Sequence, residues 1–189
     1  MTNRKGSQNY NAIALGGAAS SDVGTAALGD FEYGYDDGVR DTTVGLSPAG
    51  SELCWMQRFD AVAGEEQIVS ILAAWALSAP NGTAARMFVW DDPNDDGDPN
   101  DCVLISQQAI TVKNRDTNIL NEYVLNTPVL VSGVFFVGVS VVNGSGEFPA
   151  PLDTSRPYVP SSTVVGQGYP RGCSETRIFG QNQSRSLKT

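Results

Sequence analysis

Short segments in which apolar side chains occupy every second position recur along the chain from residue 31 onward. In residues 31–35 the aromatic side chains fall on odd positions, and so do Leu53, Trp55 and Phe59 in the next such segment. Successive side chains of a strand point to opposite faces, so this alternation predicts strands with one buried face. Residues 133–142 are almost wholly apolar, with Ser140 as the one polar side chain, which predicts a strand buried on both faces.

Residues 68–77 fit two periodicities. A helical spacing of i, i+3, i+4, i+7 is met by Ile68, Ile71, Leu72 and Trp75. A period of two also fits, with a break at Ser70. Because the neighbouring segments are short and strand-like, we expect this segment to be a strand as well.

The succession of about seven to eight short strands separated by turn residues predicts an all-β domain. An antiparallel β-sandwich of the jelly-roll type is expected, with a closed barrel as the alternative. Residues 1–29 lack a periodic pattern and are expected to form a flexible tail, followed by the sandwich over 30–182 and a C-terminal tail over 183–189. Because the run at 12–19 has few bulky apolar side chains, we do not expect it to be a signal peptide.

Composition narrows the possible functions. The 189 residues include 12 Lys and Arg, 21 Asp and Glu, and no histidine, which gives a net charge of -9. The absence of histidine removes the most common zinc ligand and the Ser-His-Asp triad. The acidic charge argues against a nucleic-acid partner, since phosphate binding depends on Lys and Arg. No apolar stretch is long enough for membrane insertion.

Three cysteines are present, Cys54, Cys102 and Cys173, and none forms a closely spaced pair. They are expected to be buried thiols, or else one disulfide and one thiol in an exported protein. Cys102 and Cys173 both lie beside turn-rich segments, which favours that pair among the three possible ones.

The strongest chemical signal is an acidic loop at residues 91–101, which holds six of the 21 acidic residues and no basic residue. Hard cations such as Ca²⁺ take six to eight oxygen ligands, and alternating carboxylates on a tight loop supply them. The expected ligands at this site are Asp92, Asn94, Asp96, Asp98, Asn100 and Asp101. A solvated acidic turn is the alternative, because Asp, Asn, Gly and Pro are also ordinary loop residues.

The order D-x-N-x-D-G from Asp92 to Gly97 resembles the first half of an EF-hand loop. The twelfth position is Val103, so the bidentate Glu of an EF-hand is missing, and the flanking segments have strand patterns. The loop is closer in pattern to the Asp-rich loops of thrombospondin type-3 repeats. We therefore expect a Ca²⁺ site that orders a β-hairpin.

Three segments together resemble a group of exported bacterial β-sandwich domains: YDDG at 35–38, VWDDPNDDGDP at 89–99 and FPAPLD at 148–153. Members of that group are often likened to carbohydrate-binding or adhesion modules. The resemblance covers about residues 31–180 and implies an extracellular or cell-surface location and a non-catalytic role. It implies no particular ligand residues.

The expected function is therefore that of a secreted binding or adhesion module, with an extracellular polysaccharide or a second copy of the chain as partner. Sugar-binding surfaces stack rings on exposed aromatic side chains. The candidates here are Trp90, Tyr123, Tyr158 and Tyr169. For Trp90, which lies at a strand end beside Phe88 and Val89, a core role is the stronger expectation. The alternatives are a self-assembling shell, fibre or surface-layer protein and, third, a glycoside hydrolase that uses two carboxylates.

Overall fold

The computed structural model describes residues 11–15, 31–34, 39–46, 49–77, 80–152 and 178–180. These residues form strands, turns and loops and contain no helix. The strands, in chain order, are β1 (Asn11–Leu15), β2 (Phe31–Tyr33), β3 (Thr42–Val44), β4 (Glu52–Asp60), β5 (Gln67–Ala73), β6 (Ala84–Asp91), β7 (Val103–Thr111), β8 (Asn121–Leu130), β9 (Val134–Val142), β10 (Ala150–Leu152) and β11 (Ile178–Gly180). The predicted all-β class is confirmed, with more strands than the seven or eight expected.

Two sheets pack face to face as a β-sandwich. The first has the strand order β11-β4-β9-β6-β7, and the second has the order β2-β1-β5-β8. The long pairings β4–β9, β6–β9, β6–β7 and β5–β8 are all antiparallel. A short antiparallel pair of β10 and β3 lies outside the two sheets. In the part of the chain that the structure describes, no helix has the length and hydrophobicity needed to cross a membrane.

The main core lies between the sheets and is built from alternate residues of the long strands. Trp55 of β4, Val89 of β6 and Phe135 of β9 face Ile71 of β5 and Tyr123 of β8 across it. Each of these side chains is buried, as the alternating pattern predicts. Inter-sheet packing of this kind supplies most of the stabilisation of a sandwich, at about 25 cal/mol per Å² of apolar area removed from water.

The five-stranded sheet is buried on its other face too. A second apolar cluster there consists of Cys54, Met56, Phe88, Trp90, Cys102, Val134 and Phe136. Strand β9 is accordingly buried from its first residue to Val141, which confirms the prediction of a strand buried on both faces. Gly138 in its middle leaves room for Trp90, since a Cβ there would lie 2.9 Å from the Trp90 ring.

Residues 67–73 form strand β5, which confirms the strand interpretation for the first part of the ambiguous segment, whereas residues 74–76 belong to no strand. Its pairing with β8 shifts register between Ile68 and Ser70. The shift moves the core-facing positions from Ile68 to Ile71 and Ala73. A bulge in a strand thus produces the i, i+3 spacing that also suggested a helix.

Residues 11–15, which were expected to belong to a flexible tail, form β1 between β2 and β5. Both of its pairings are parallel. The tail interpretation does not hold for these five residues, because they pair through backbone hydrogen bonds with two neighbouring strands. The sequence did not indicate this strand because its side chains show little alternation.

Candidate metal centre

The acidic loop joins two paired strands. Strands β6 and β7 are antiparallel, and their last pair is Asp91 with Val103, so residues 92–102 close a hairpin as expected. Two residues of the loop adopt left-handed conformations, Asp95 at φ 59° and Gly97 at φ 80°. Asp tolerates this region better than most residues, and glycine adopts it freely, so the sequence allows the chain to reverse here.

The loop is anchored to the neighbouring strand β9. The Asp92 N–H donates to the carbonyl of Val134 at 3.0 Å, and the Val134 N–H donates to Asp95 Oδ1 at 2.6 Å. The Asp95 carboxylate thus takes the place of a backbone carbonyl and extends the β6–β9 ladder beyond the strand. Gly133 is required beside it, because a Cβ there would collide with the Asp95 carboxylate.

Asp92 is the buried member of the loop, with 2% of its surface exposed. Its Oδ2 accepts a hydrogen bond from the Gly97 N–H at 2.7 Å. Its Oδ1 is also buried, and it has no hydrogen-bond partner among the described residues. A buried carboxylate oxygen without a partner is costly, and buried charges in proteins are normally paired or bound to a metal.

Two further carboxylates converge on Asp92. Oxygen atoms of Asp92, Asp96 and Asp101 all lie within 4.8 Å of one another. The Asn94 side-chain amide bridges the two outer members, donating from Nδ2 to Asp96 Oδ2 at 3.1 Å and to Asp101 Oδ2 at 2.8 Å. These three aspartates form a group that could hold a metal ion, with Asn94 beside it.

The remaining predicted ligands, Asp98 and Asn100, bond to each other. Asp98 Oδ1 accepts from the Asn100 backbone N–H at 2.9 Å and from Asn100 Nδ2 at 2.6 Å. The Asp98 N–H in turn donates to Asp96 Oδ1 at 2.7 Å. Neither residue belongs to the three-carboxylate group, so these two side chains support the loop next to the cluster and are not part of it.

No base in the described part of the chain compensates the charge of the cluster. Arg58 approaches the loop, since a Cβ on Gly97 would lie 3.0 Å from Arg58 Nε. Its guanidinium pairs with Asp60 at 2.6 Å. Among the described residues, no Lys or Arg forms an ion pair with the three clustered aspartates. A cation from solution would supply the missing charge.

Cys102 lies just behind the cluster. Burial raises the pKa of this thiol to about 12, with further contributions from the negative charges of Asp92, Asp101, Asp98 and Asp96. The thiol therefore stays protonated at neutral pH in the metal-free protein. Cys102 is a free thiol in the structure, contrary to the preferred disulfide with Cys173, a residue that lies outside the described ranges.

The structure does not support the predicted stacking role of Trp90. Its side chain is fully buried and packs on Phe88 with 5.0 Å between ring centroids. Neither ring face is available to a sugar, so the core role is the one observed. Tyr158 and Tyr169 lie outside the described residues. Within the described ranges, Phe148 is the one aromatic side chain among the exposed large hydrophobic residues.

Sequence reasoning missed Asp95 and the buried oxygen of Asp92. The role of Asp95 depends on Val134, which is 39 positions away in the chain, and no local pattern signals it. Comparisons of the chain with protein-family models, with curated proteins and with solved structures found no match. The chemistry of the site is therefore inferred from its own geometry.

Proposed function

We propose that this chain is an exported, non-catalytic β-sandwich module whose acidic loop binds Ca²⁺ and that acts by binding or adhesion outside the cell. The observation that carries the metal site is the buried, unpartnered Oδ1 of Asp92, a residue whose carboxylate belongs to the group of three. The extracellular setting is supported by the resemblance of the loop and its flanking motifs to exported sandwich domains.

Calcium fits this donor set better than other common metals. The donors of the clustered group are all carboxylate oxygens, and the chain has no histidine. Oxygens on opposite sides of a Ca²⁺ ion lie about 4.6–5.2 Å apart, so one ion can contact three oxygens that are all within 4.8 Å of one another. Magnesium gives up its water reluctantly and is less suited to several protein carboxylates.

The same geometry argues against carboxylate catalysis. Glycoside hydrolases place two carboxyl groups on either side of the scissile bond, about 5–9.5 Å apart. Here the three carboxylate groups converge on one point and leave no room for a sugar ring between them. The cluster is thus better suited to holding a cation than to general acid–base chemistry.

Isothermal calorimetry on metal-stripped protein tests the proposal. We expect Ca²⁺ to bind with a Kd of about 10⁻⁴–10⁻³ M, the range typical of extracellular modules. Asp92→Asn should abolish the heat, whereas Asp98→Asn removes the same charge outside the cluster and should retain binding. Absence of heat at millimolar Ca²⁺, or equal loss in both variants, would contradict the metal site.

Self-association is the second candidate, favoured by exposed apolar side chains on edge strands. Val103 and Ile105 of β7 are 50% and 37% exposed, and Val124 and Leu130 of β8 are 63% and 73% exposed. Edge strands with exposed apolar residues are common sites of chain-to-chain pairing. Light scattering after size exclusion tests this: an oligomer that Val124→Lys dissociates supports it, and a monomer at high concentration contradicts it.

A further inference from the structure

We infer that the Ca²⁺ ion has open coordination positions facing solvent and that these bind a neutral sugar through two adjacent hydroxyl groups. This inference rests on the proposed metal site and adds the chemical class of its ligand. Three features of the loop lead to it: the number of oxygens it can supply, the side of the ion they cover, and the charge that remains.

Bound through one oxygen each, the clustered side chains supply fewer oxygens than calcium requires. Asp92 Oδ2 accepts the Gly97 N–H and Oδ1 has no hydrogen-bond partner among the described residues, so we assign Oδ1 as its ligand. Asp96 and Asp101 each contribute one clustered oxygen. Asn94 adds a fourth donor if its amide turns to present Oδ1, since its Nδ2 now contacts both outer carboxylates. Calcium takes six to eight oxygens, so about two to four positions remain.

The open positions lie on the solvent side. Asp92 is buried at the base of the cluster, and it is fixed there through the hydrogen bond between its own N–H and Val134. Asp96 and Asp101 are exposed, and so is Asn94. An ion held by these groups is covered from below and reached from outside, where water or an external ligand can complete its shell.

The remaining charge selects a neutral ligand. Residues 91–101 carry six carboxylates and no base, so one Ca²⁺ leaves four negative charges on the loop. Arg58, which approaches the loop at Gly97, is paired with Asp60. The negative charges that remain on the loop would repel the carboxylate of a uronic acid or of an acidic peptide. Hydroxyl groups are neutral oxygen donors, and a pair on adjacent carbons can fill two neighbouring positions.

Recognition at this site would depend on the ion. Trp90 lies near the base of the loop but is fully buried, so its ring offers no stacking surface. Removal of Ca²⁺ should therefore abolish sugar binding completely. This separates the site from a stacking platform, which keeps its affinity without metal.

Eu³⁺ in place of Ca²⁺ provides the test, because O–H oscillators quench its luminescence and the lifetimes in H₂O and D₂O count the bound waters. We expect about two or more waters on the bound ion. Methyl α-mannoside should displace them and lengthen the lifetime in H₂O, and galacturonate should displace far fewer. Calorimetry with the mannoside on Ca²⁺-loaded protein should show the same preference, with no heat in EDTA.

A charge variant sharpens the test. Asp98→Asn lowers the loop charge outside the cluster, so galacturonate binding should strengthen while mannoside binding stays unchanged. Bound Eu³⁺ without waters would overturn the open shell, and waters that neither sugar displaces would overturn the ligand class. Failure of Ca²⁺ and Eu³⁺ to bind, or binding that survives in Asp92→Asn, would instead remove the proposed metal site itself.

Discussion

Replacing Asp92 with asparagine keeps the shape of the side chain and removes its charge. The amide oxygen can still accept the 2.7 Å hydrogen bond from the Gly97 N–H. The amide nitrogen then takes the position of the unpartnered Oδ1, in the side chain that clusters with Asp96 and Asp101. The variant thus fills with an N–H donor the place that we assign to a cation.

The effect on stability should depend on calcium. A buried polar group without a partner costs about 1–3 kcal/mol, and more when it is charged. Without metal, Asp92→Asn should therefore be at least as stable as the wild type, with a gain of about 1 kcal/mol. With Ca²⁺ at 100 times its Kd, the wild type gains about 2.7 kcal/mol that the variant lacks.

Thermal denaturation in EDTA and in excess Ca²⁺ measures both quantities. For a chain of this length, about 2.7 kcal/mol corresponds to a rise in Tm of about 5–10 °C for the wild type. The variant should show no rise, so the order of the two Tm values should reverse between the two buffers. A variant that is less stable by the same amount in both buffers would show that Asp92 is only structural.

Three further predictions concern the loop anchor, a buried tyrosine and the thiol. Gly133→Ala places a Cβ against the Asp95 carboxylate at a residue with a φ of +53°. In urea denaturation it should lower the free energy of unfolding by about 1–2 kcal/mol more than Gly64→Ala, where φ is +90° and the space is open. Equal losses in the two variants would refute the anchoring role of Asp95. Burial raises the pKa of Tyr123 from 10.0 to about 12, so stability should fall as pH rises from 10 towards 12, and Tyr123→Phe should flatten that slope; an unchanged slope would refute it. With a pKa of about 12, a fraction of about 10⁻⁴ of the Cys102 thiol should be ionised at pH 8, so Cys102 should resist alkylation by iodoacetamide until urea is added. Peptide mass spectrometry measures this labelling. Labelling of the folded protein at the rate of an exposed cysteine would contradict the prediction.

The strands that the sequence predicts best are those in which the apolar side chains are the buried ones. The alternation of Leu53, Trp55 and Phe59 and the apolar run at 133–142 correspond to β4 and β9, in which these side chains are buried. Cys54 and Met56 of β4 are buried as well, in the second apolar cluster, so the expectation of one buried face is wrong for residues 53–59. Residues 68–77 were ambiguous for a physical reason. The register shift after Ile68 changes which positions face the core, so a regular period of two is lost.

Strand β1 lies where sequence predicts a tail. Its residues pair in parallel with both β2 and β5, and the bonds that hold it come from the backbone. Only Ile13 and Leu15 in this stretch are bulky and apolar. Backbone N–H and C=O groups are nearly the same in every residue type, so the pattern of side chains cannot identify a strand held by them alone.

At the site, spacing predicts which residues lie on the loop but not how the loop closes. Asp92, Asp96 and Asp101 meet because the left-handed turn at Gly97 brings their carboxylates together. Asp98 has the same chemistry and similar spacing, yet it bonds to Asn100. Such differences depend on backbone dihedral angles and on contacts with strands distant in the sequence.

The most direct test of the metal site is a crystal structure of the protein grown in calcium chloride, with anomalous scattering recorded at long wavelength. We predict an anomalous peak about 2.3–2.6 Å from Asp92 Oδ1 and in contact with Asp96 and Asp101. A loop without a peak, or an ion that binds the two outer aspartates and leaves Asp92 Oδ1 without a ligand, would contradict this account.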